Sequence, residues 1–142
     1  MTGKLWTFFY GSFMNAAVLR EAGLEPPPFE VGRLDGYDIT IGPLANLVES
    51  EGATTYGLLA QMSHGELRQL YDHAEKVLGG NYEPHPALVQ TRDGRWRAAL
   101  CYIAPAMEHR PADRAYVERI LKPAREHGFP ERYLARLERF LR

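Results

Sequence analysis

The chain has 142 residues, with 17 Lys and Arg against 18 Asp and Glu and a formal net charge of −1. This length suits one domain with its own core, and the balanced charge gives no strong field for nucleic acid or an anionic membrane. A single cysteine, Cys101, excludes an intramolecular disulfide, and no apolar stretch reaches the roughly 18 residues of a membrane span. We therefore expect one cytoplasmic domain over residues 1–142, with no nucleic-acid or membrane partner; its oligomeric state stays open.

The first half of the chain favours short strands separated by turns. The predicted elements are, in chain order, a buried strand over 5–10, a short helix or turn over 13–22, an extended connection over 24–29, a strand over 31–41 broken near Asp35-Gly36, and strands over 44–48 and 54–62. Aromatic and β-branched residues favour the strands, and three consecutive prolines exclude a helix interior from the connection. Residues 49–52 are polar and predict a turn, and Gly57 indicates a bulge or a close backbone approach.

The best-defined helix follows at Ser63. Ser63 and Glu66 form an S-x-x-E capping box. Leu67, Leu70, Tyr71 and Ala74 then recur at helical spacing on one apolar face. Gly79-Gly80 is expected to end this segment.

The last third predicts a hairpin and then helices. Strands are expected over 87–91 and 96–103, joined through Asp93-Gly94 in a type I′ turn. A helical region is expected from Arg110 to the end, with Pro111 in its first turn. Pro123 and the segment 128–130 are expected to break it into pieces.

A strand-to-loop junction is the first candidate for chemistry. Tyr10, Gly11, Ser12, Phe13 and Met14 follow the aromatic first strand directly. A strand that ends in Gly-Ser and passes into a helical turn exposes several backbone N–H groups together. Such groups can bind a carboxylate or a developing oxyanion. An ordinary Gly-Ser turn is the structural alternative.

Glu75 is the second candidate. It lies four residues after Tyr71, at the edge of the helix's apolar face and near the helix C-terminus. The helix dipole disfavours an anion there, which would raise the pKa of a carboxyl that half-faces the core. Such a group is a candidate general acid and base. The alternative is a rim glutamate paired with Lys76 or an arginine.

The tyrosines are the third candidate, because tyrosines line many small polar pockets. Tyr82 follows the double glycine, and the other members of the set lie on or beside predicted elements: Tyr10, Tyr37, Tyr56, Tyr71 and Tyr102. The five histidines show no metal-ligand spacing, so no metal is expected. No nucleotide-binding fingerprint is present, so no cofactor is expected. Cys101 is expected to be buried packing rather than a nucleophile.

Together these segments resemble the γ-glutamylcyclotransferase family, which includes the AIG2-like proteins and the γ-glutamylamine cyclotransferases. Residues 10–14 (YGSFM) look like the family's substrate loop, and residues 55–59 (TYGLL) look like its V-x-G-x-L strand. Asp72 and Glu75 keep the family's D-x-x-E spacing, and Tyr82 follows the glutamate by seven residues as in the family. The tail from Tyr116 through 128–134 also follows the family pattern, so the resemblance covers nearly the whole chain.

The resemblance implies a mixed α/β (α+β) fold built around a small, partly closed β-barrel with helices packed outside. It also implies the reaction: intramolecular cyclisation of a γ-glutamyl amide to 5-oxoproline with release of an amine or amino acid. Glu75 would be the proton shuttle, a transferase or lyase role that needs neither a metal nor a cofactor. Tyr10, Gly11, Ser12, Phe13, Met14 and Tyr82 would bind the small-molecule substrate.

Two departures from the family pattern leave alternatives open. Lys76 stands where glycine usually follows the glutamate, and Tyr71 stands where leucine is usual. A larger γ-glutamyl leaving group is one alternative. A non-catalytic module that binds a γ-glutamyl compound or 5-oxoproline is another, favoured by Lys76. A purely structural partner domain is the third.

Overall fold

The computed structural model describes residues 3–142 and confirms the mixed α/β fold, with helices outside a five-stranded barrel. The strands are β1 (Lys4–Phe9), β2 (Glu30–Ile41), β3 (Ala45–Ser63), β4 (Glu83–Thr91) and β5 (Trp96–Ile103). The helices are α1 (Ala16–Glu21), α2 (His64–His73), α3 (Arg114–Glu126) and α4 (Glu131–Glu138). Short 3-10 turns cover Ser12–Met14 and Arg139–Leu141, and a π-helical turn covers Ala74–Leu78. Within residues 3–142, no helix is long and apolar enough to cross a membrane.

The barrel closes in the order β1-β3-β2-β4-β5. All neighbours are antiparallel except β1 and β5, which pair in parallel at Thr7 with Leu100 and at Phe8 with Cys101. Strands β2 and β4 meet through only two residue pairs. Gly32 lies at that junction, where an added Cβ would stand 2.6 Å from a methyl of Val89. The narrow barrel therefore needs a residue without a side chain there.

Strand β3 corrects one prediction. Residues 45–63 form a single 19-residue strand, although a turn was expected over 49–52. The pairing with β2 shifts instead: Asp35 faces Thr54, whereas Tyr37 faces Glu49. The polar segment is thus a bulge in an exposed part of the ribbon, where charged side chains reach solvent without ending the strand. The expected break in β2 at Asp35-Gly36 is this same shift in register.

The close backbone approach expected at Gly57 is present. A Cβ added at Gly57 would lie 2.4 Å from the carbonyl oxygen of Phe9 and 2.7 Å from the Phe8 ring. Glycine therefore lets β3 pack directly against the end of β1. This contact sets where β1 leaves the barrel.

The β4–β5 connection is a hairpin, but the expected type I′ turn is wrong. A type I′ turn would need a positive φ at both Asp93 and Gly94. Only Gly94 has one, at 86°. The Gly94 N–H donates to the Thr91 carbonyl at 3.0 Å, and the Thr91 N–H donates to the Arg95 carbonyl at 2.8 Å. The turn is therefore a type I turn followed by a left-handed glycine, the common longer hairpin loop.

The C-terminal helices differ from the prediction at two prolines. Helix α3 begins at Arg114 with Asp113 as N-cap, so Pro111 lies in the irregular segment before it. Pro123 lies inside α3 and does not break it. Proline removes the N–H that would bond the carbonyl four residues earlier, and here the Asn15 side-chain amide donates to that Arg119 carbonyl at 2.9 Å. A tertiary hydrogen bond thus replaces the missing helical one.

Replacing Gly57 with alanine tests the close approach of β3 to β1. The new methyl group would overlap backbone that cannot move without opening the barrel. We expect Gly57→Ala to lower the free energy of unfolding by about 1–3 kcal/mol, the usual cost of overpacking. Urea unfolding followed by circular dichroism measures it.

Gly65→Ala is the matched control. Gly65 is exposed in the first turn of α2, and an added Cβ there would meet nothing closer than the Ser63 hydroxyl at 3.9 Å. Alanine should leave stability unchanged or raise it by up to about 1 kcal/mol. Equal stability for Gly57→Ala and wild type would contradict the packing described for β1.

Candidate active site

One cavity opens where β1 leaves the barrel. It has about 390 Å³ of empty volume, counting its open mouth. Its lining comes from the loop after β1, the start of β3, the end of α2, the segment before β4, the end of β5 and the first turn of α3. The lining residues are Phe9, Tyr10, Gly11, Ser12, Phe13, Leu44, Ala45, Tyr71, Ala74, Leu78, Tyr82, Tyr102 and Tyr116.

The loop after β1 forms one wall. It folds into a 3-10 turn over Ser12–Met14, in which the Met14 N–H donates to the Gly11 carbonyl at 3.1 Å. The first N–H groups of such a turn have no internal partner. Within residues 3–142, no acceptor is hydrogen bonded to the N–H of Ser12 or Phe13. Two adjacent donors are therefore available at the cavity wall.

Ala45 holds two of the cavity tyrosines through its backbone. Its N–H donates to the Tyr116 hydroxyl at 2.9 Å, and its carbonyl accepts from the Tyr82 hydroxyl at 2.5 Å. A side chain at Gly11 would press on the start of β3, because its Cβ would lie 3.1 Å from the Ala45 Cβ and 3.8 Å from the Tyr116 hydroxyl. The loop thus packs directly against Ala45 and the hydroxyl that Ala45 binds.

Three other tyrosines complete the polar wall. Tyr71 and Tyr102 stack with ring centroids 3.7 Å apart and an interplanar angle of 12°. The Tyr10 hydroxyl donates to the Tyr102 carbonyl at 2.6 Å. Burial raises the pKa of Tyr10, Tyr71, Tyr82, Tyr102 and Tyr116 above the ordinary phenol value of 10.0. All five are therefore neutral hydrogen-bonding groups at physiological pH.

Among residues 3–142, the cavity lining includes no side chain that is charged at neutral pH. It contains tyrosine and serine hydroxyls, backbone donors and apolar groups. Cys101 lies behind this wall in β5, and burial raises the pKa of its thiol to about 12. That thiol is protonated at neutral pH, which fits the expectation of buried packing rather than a nucleophile.

Glu75 lies on the helix that bounds the cavity, but its side chain is exposed and is not among the lining groups. The expectation that it half-faces the core is wrong. Ala74 and Leu78 take the inward positions of the π-helical turn, and the residue that follows an inward one in a helix points in a different direction. No ion pair joins Glu75 to Lys76 in the described part of the chain. The carboxylate therefore flanks the cavity wall.

The double glycine positions Tyr82 as the chain turns out of α2. The capping box starts α2 as expected, with Ser63 accepting from the Glu66 N–H at 3.1 Å. Gly79 ends the helical segment in the left-handed region at φ 79°. A Cβ at Gly80 would lie 2.5 Å from the Tyr82 ring. Only glycine lets the backbone pass so close to that ring.

The structure brings most of the predicted site residues together. Tyr10, Gly11, Ser12, Phe13 and Tyr82 line one cavity, whereas Met14 is 2% exposed and packs in the core. Sequence reasoning missed two lining segments, Leu44-Ala45 and Tyr116. Tyr116 lies more than a hundred residues after the loop, and its spacing on α3 predicted only an apolar helix face. No local pattern distinguishes these residues.

The stability of the protein at alkaline pH tests the burial of the tyrosines. Their pKa values are raised in the folded state, so the unfolded chain loses protons above pH 10 that the folded chain retains. The contribution of these tyrosines to the free energy of unfolding is therefore constant below about pH 9 and falls as the pH rises through 10 and beyond. Urea unfolding across this pH range measures the free energy of unfolding, and phenolate absorbance measures the ionisation of the tyrosines.

Tyr71→Phe is the control for this titration, since within residues 3–142 no protein group is hydrogen bonded to the Tyr71 hydroxyl. It removes one buried phenol and should make the alkaline loss of stability less steep. Ionisation of every tyrosine near pH 10 without loss of structure would contradict the burial of this wall.

Comparison with known proteins agrees with the resemblance found in the sequence. Residues 54–137 match the model of the AIG2-like family, which is well over half of the chain and includes Glu75 and Tyr82. A relative from Bos taurus named gamma-glutamylcyclotransferase is 30% identical over 96 residues, covering 68% of this chain and 50% of that protein. The match thus spans half the length of that relative.

Solved structures share the same fold. A structure named gamma-glutamyl cyclotransferase superimposes with a TM-score of 0.83 at 23% identity, covering 95% of this chain and 86% of the other. An uncharacterized protein from Homo sapiens superimposes with a TM-score of 0.79 at 25% identity over the same shares. The fold is that of the γ-glutamyl cyclotransferases, and the chain belongs to the AIG2-like family.

Proposed function

We propose that this protein is an enzyme that cyclises a γ-glutamyl amide to 5-oxoproline and releases an amine or amino acid. One observation carries the proposal: the two N–H donors of Ser12 and Phe13, which have no acceptor within residues 3–142, lie on the wall of a neutral cavity bounded by the helix of Glu75. The relatives named gamma-glutamylcyclotransferase support the reaction class.

The reaction needs little from the protein because the nucleophile is part of the substrate. The α-amine attacks the γ-carbonyl carbon, a C–N bond closes the five-membered ring, and the original γ C–N bond breaks. A proton leaves the α-nitrogen and one is delivered to the departing amine, so no water is consumed. Tethering supplies much of the entropy of bringing the two groups together. The protein must select the folded-back conformation and move one proton.

The loop supplies electrostatic stabilisation. As the amine attacks, negative charge develops on the γ-carbonyl oxygen. The N–H groups of Ser12 and Phe13 are fixed donors for that charge or for the α-carboxylate of the substrate. The cavity contributes no competing charge, because its tyrosines are neutral. Losing one such donor costs about 10²–10³-fold in rate.

Glu75 is the proposed proton shuttle. The described residues lining the cavity include no carboxylate or imidazole, so the proposed base comes from the rim of the cavity. Glu75 follows Ala74 directly, and a change in its side-chain torsions is the motion that would bring the carboxylate over the mouth. With the substrate reacting as its free α-amine, Glu75 would take the proton that the α-nitrogen loses as the ring closes and deliver that proton to the leaving nitrogen. General acid–base catalysis of this kind contributes about 10²–10⁴-fold.

A binding module without turnover is the second candidate. The observation that favours it is the exposed position of Glu75 beside Lys76, outside the lining of the cavity. A lysine at this position offers the carboxylate a partner in solvent. In this case the loop donors and tyrosines would hold 5-oxoproline or a γ-glutamyl compound without a base to move the proton.

Turnover by wild type and by Glu75→Gln tests the proposal. Purified protein is incubated with γ-glutamyl dipeptides and γ-glutamylamines, and 5-oxoproline is followed by mass spectrometry. We expect wild type to release 5-oxoproline and Glu75→Gln to lower kcat by about 10²–10⁴-fold, because the amide cannot accept the proton. Glu83→Gln, an exposed neighbour outside the cavity lining, is the control and should keep wild-type kcat.

The other outcomes each exclude one account. If no panel member yields 5-oxoproline while 5-oxoproline raises the melting temperature, the binding module is correct. If Glu75→Gln turns over like wild type, Glu75 is not the shuttle. If kcat falls equally in Glu83→Gln, the effect belongs to surface charge rather than to a positioned base.

A further inference from the structure

Asn15 is the last residue of the loop that lines the cavity, and its side chain makes hydrogen bonds to two helices. Its side-chain oxygen accepts from the Ala17 N–H at 2.9 Å and caps α1. Its side-chain nitrogen donates to the Arg119 carbonyl of α3 at 2.9 Å. The residue is 8% exposed, so both bonds are shielded from water. The side chain thus ties the last residue of the loop to a helix more than a hundred residues away.

The acceptor for this bond exists because of Pro123. In an uninterrupted helix the Arg119 carbonyl would accept from the N–H four residues later, but Pro123 has none. An unpaired carbonyl inside the protein is costly, and the Asn15 amide satisfies it. A proline inside the second half of a 13-residue helix is therefore matched by an asparagine on the loop.

Helix α3 contacts the same loop at a second point. Tyr116 lies three residues before Arg119 and so on the same side of the helix. Its hydroxyl accepts from the Ala45 N–H and would lie 3.8 Å from a Cβ added at Gly11. The loop thus packs against Tyr116 at Gly11 and is hydrogen bonded to α3 at Asn15. The N–H groups of Ser12 and Phe13 lie between these two anchors.

We propose that Asn15 is a positioning residue, which orients the Ser12 and Phe13 N–H donors by bonding to the carbonyl that Pro123 leaves free. The inference rests on the proposed function, because those donors are the ones assigned to the reacting γ-carbonyl. Asn15 does not line the cavity and acts only through the loop. Misplacing such a group by about 1 Å can cost on the order of 10²-fold in rate.

Asn15→Asp separates the two bonds of the side chain. Aspartate keeps an oxygen that caps α1 as well as asparagine does, but it cannot donate to the Arg119 carbonyl. We expect kcat for 5-oxoproline release to fall about 10–100-fold, with a smaller rise in KM, since the donors matter most once charge develops on the substrate. Gln69→Glu is the matched control, because it removes an amide donation to the Ala22 carbonyl just past the end of α1. It should lose some stability and keep kcat.

Adding Pro123→Ala to Asn15→Asp distinguishes positioning from stability. Alanine at 123 supplies the helical N–H to the Arg119 carbonyl and improves helix propensity. The double variant should be more thermally stable than Asn15→Asp. Its kcat should stay within about threefold of that of Asn15→Asp, because the loop still lacks its side-chain hydrogen bond to α3. If kcat returns to the wild-type value along with stability, Asn15 is merely structural and the inference is wrong.

A second readout keeps this test separate from the proposed function. If wild type makes no 5-oxoproline, the proposed function fails, and amide hydrogen exchange then decides whether Asn15 holds the loop. The N–H groups of Met14 and Asn15, which donate to the Gly11 and Ser12 carbonyls, should exchange faster in the double variant than in wild type, while α3 keeps its protection. Gln69→Glu should leave exchange at Met14 and Asn15 unchanged. Wild-type exchange at Met14 and Asn15 in the double variant would overturn the role of Asn15.

Discussion

The packing of β1 against the side-chain-free position Gly57 is the constraint on which the site depends. Strand β1 is paired on both edges, with β3 along its whole length and with β5 at Thr7 and Phe8. Its last carbonyl, at Phe9, lies where any Cβ at position 57 would overlap it. The chain therefore leaves the barrel at a fixed point and direction. The loop that follows places its N–H donors at the edge of the cavity because β1 ends there.

Burial sets the chemistry of the cavity. Its tyrosine hydroxyls are held by backbone groups, as Ala45 holds Tyr82 and Tyr116, and desolvation keeps them protonated. A neutral wall with fixed donors suits a reaction in which charge develops on the substrate and then disappears. The carboxylate proposed as the proton shuttle, Glu75, lies outside this wall and is exposed beside Ala74.

Local patterns predicted the parts of this molecule that local forces determine. The capping box at Ser63, the double glycine after α2 and the glycine at 57 were each recognisable because their chemistry is confined to a few neighbouring residues. The bulge in β3 was mistaken for a turn, since pairing along both flanks overrides the preference of polar residues for turns. Pro123 was expected to break its helix, but a distant asparagine supplies the missing bond. Tyr116 and Ala45 reach the site only through the tertiary fold.

The most direct test of this account is a crystal structure of the protein with 5-oxoproline, the proposed product. We expect the ligand in the cavity between the loop and Tyr82, with an oxygen within about 3 Å of the Ser12 or Phe13 nitrogen. The Glu75 carboxylate should turn toward the ring nitrogen of the ligand. A ligand bound in the cavity with Glu75 still in solvent would contradict the proton shuttle. A ligand bound elsewhere on the protein would contradict the site itself.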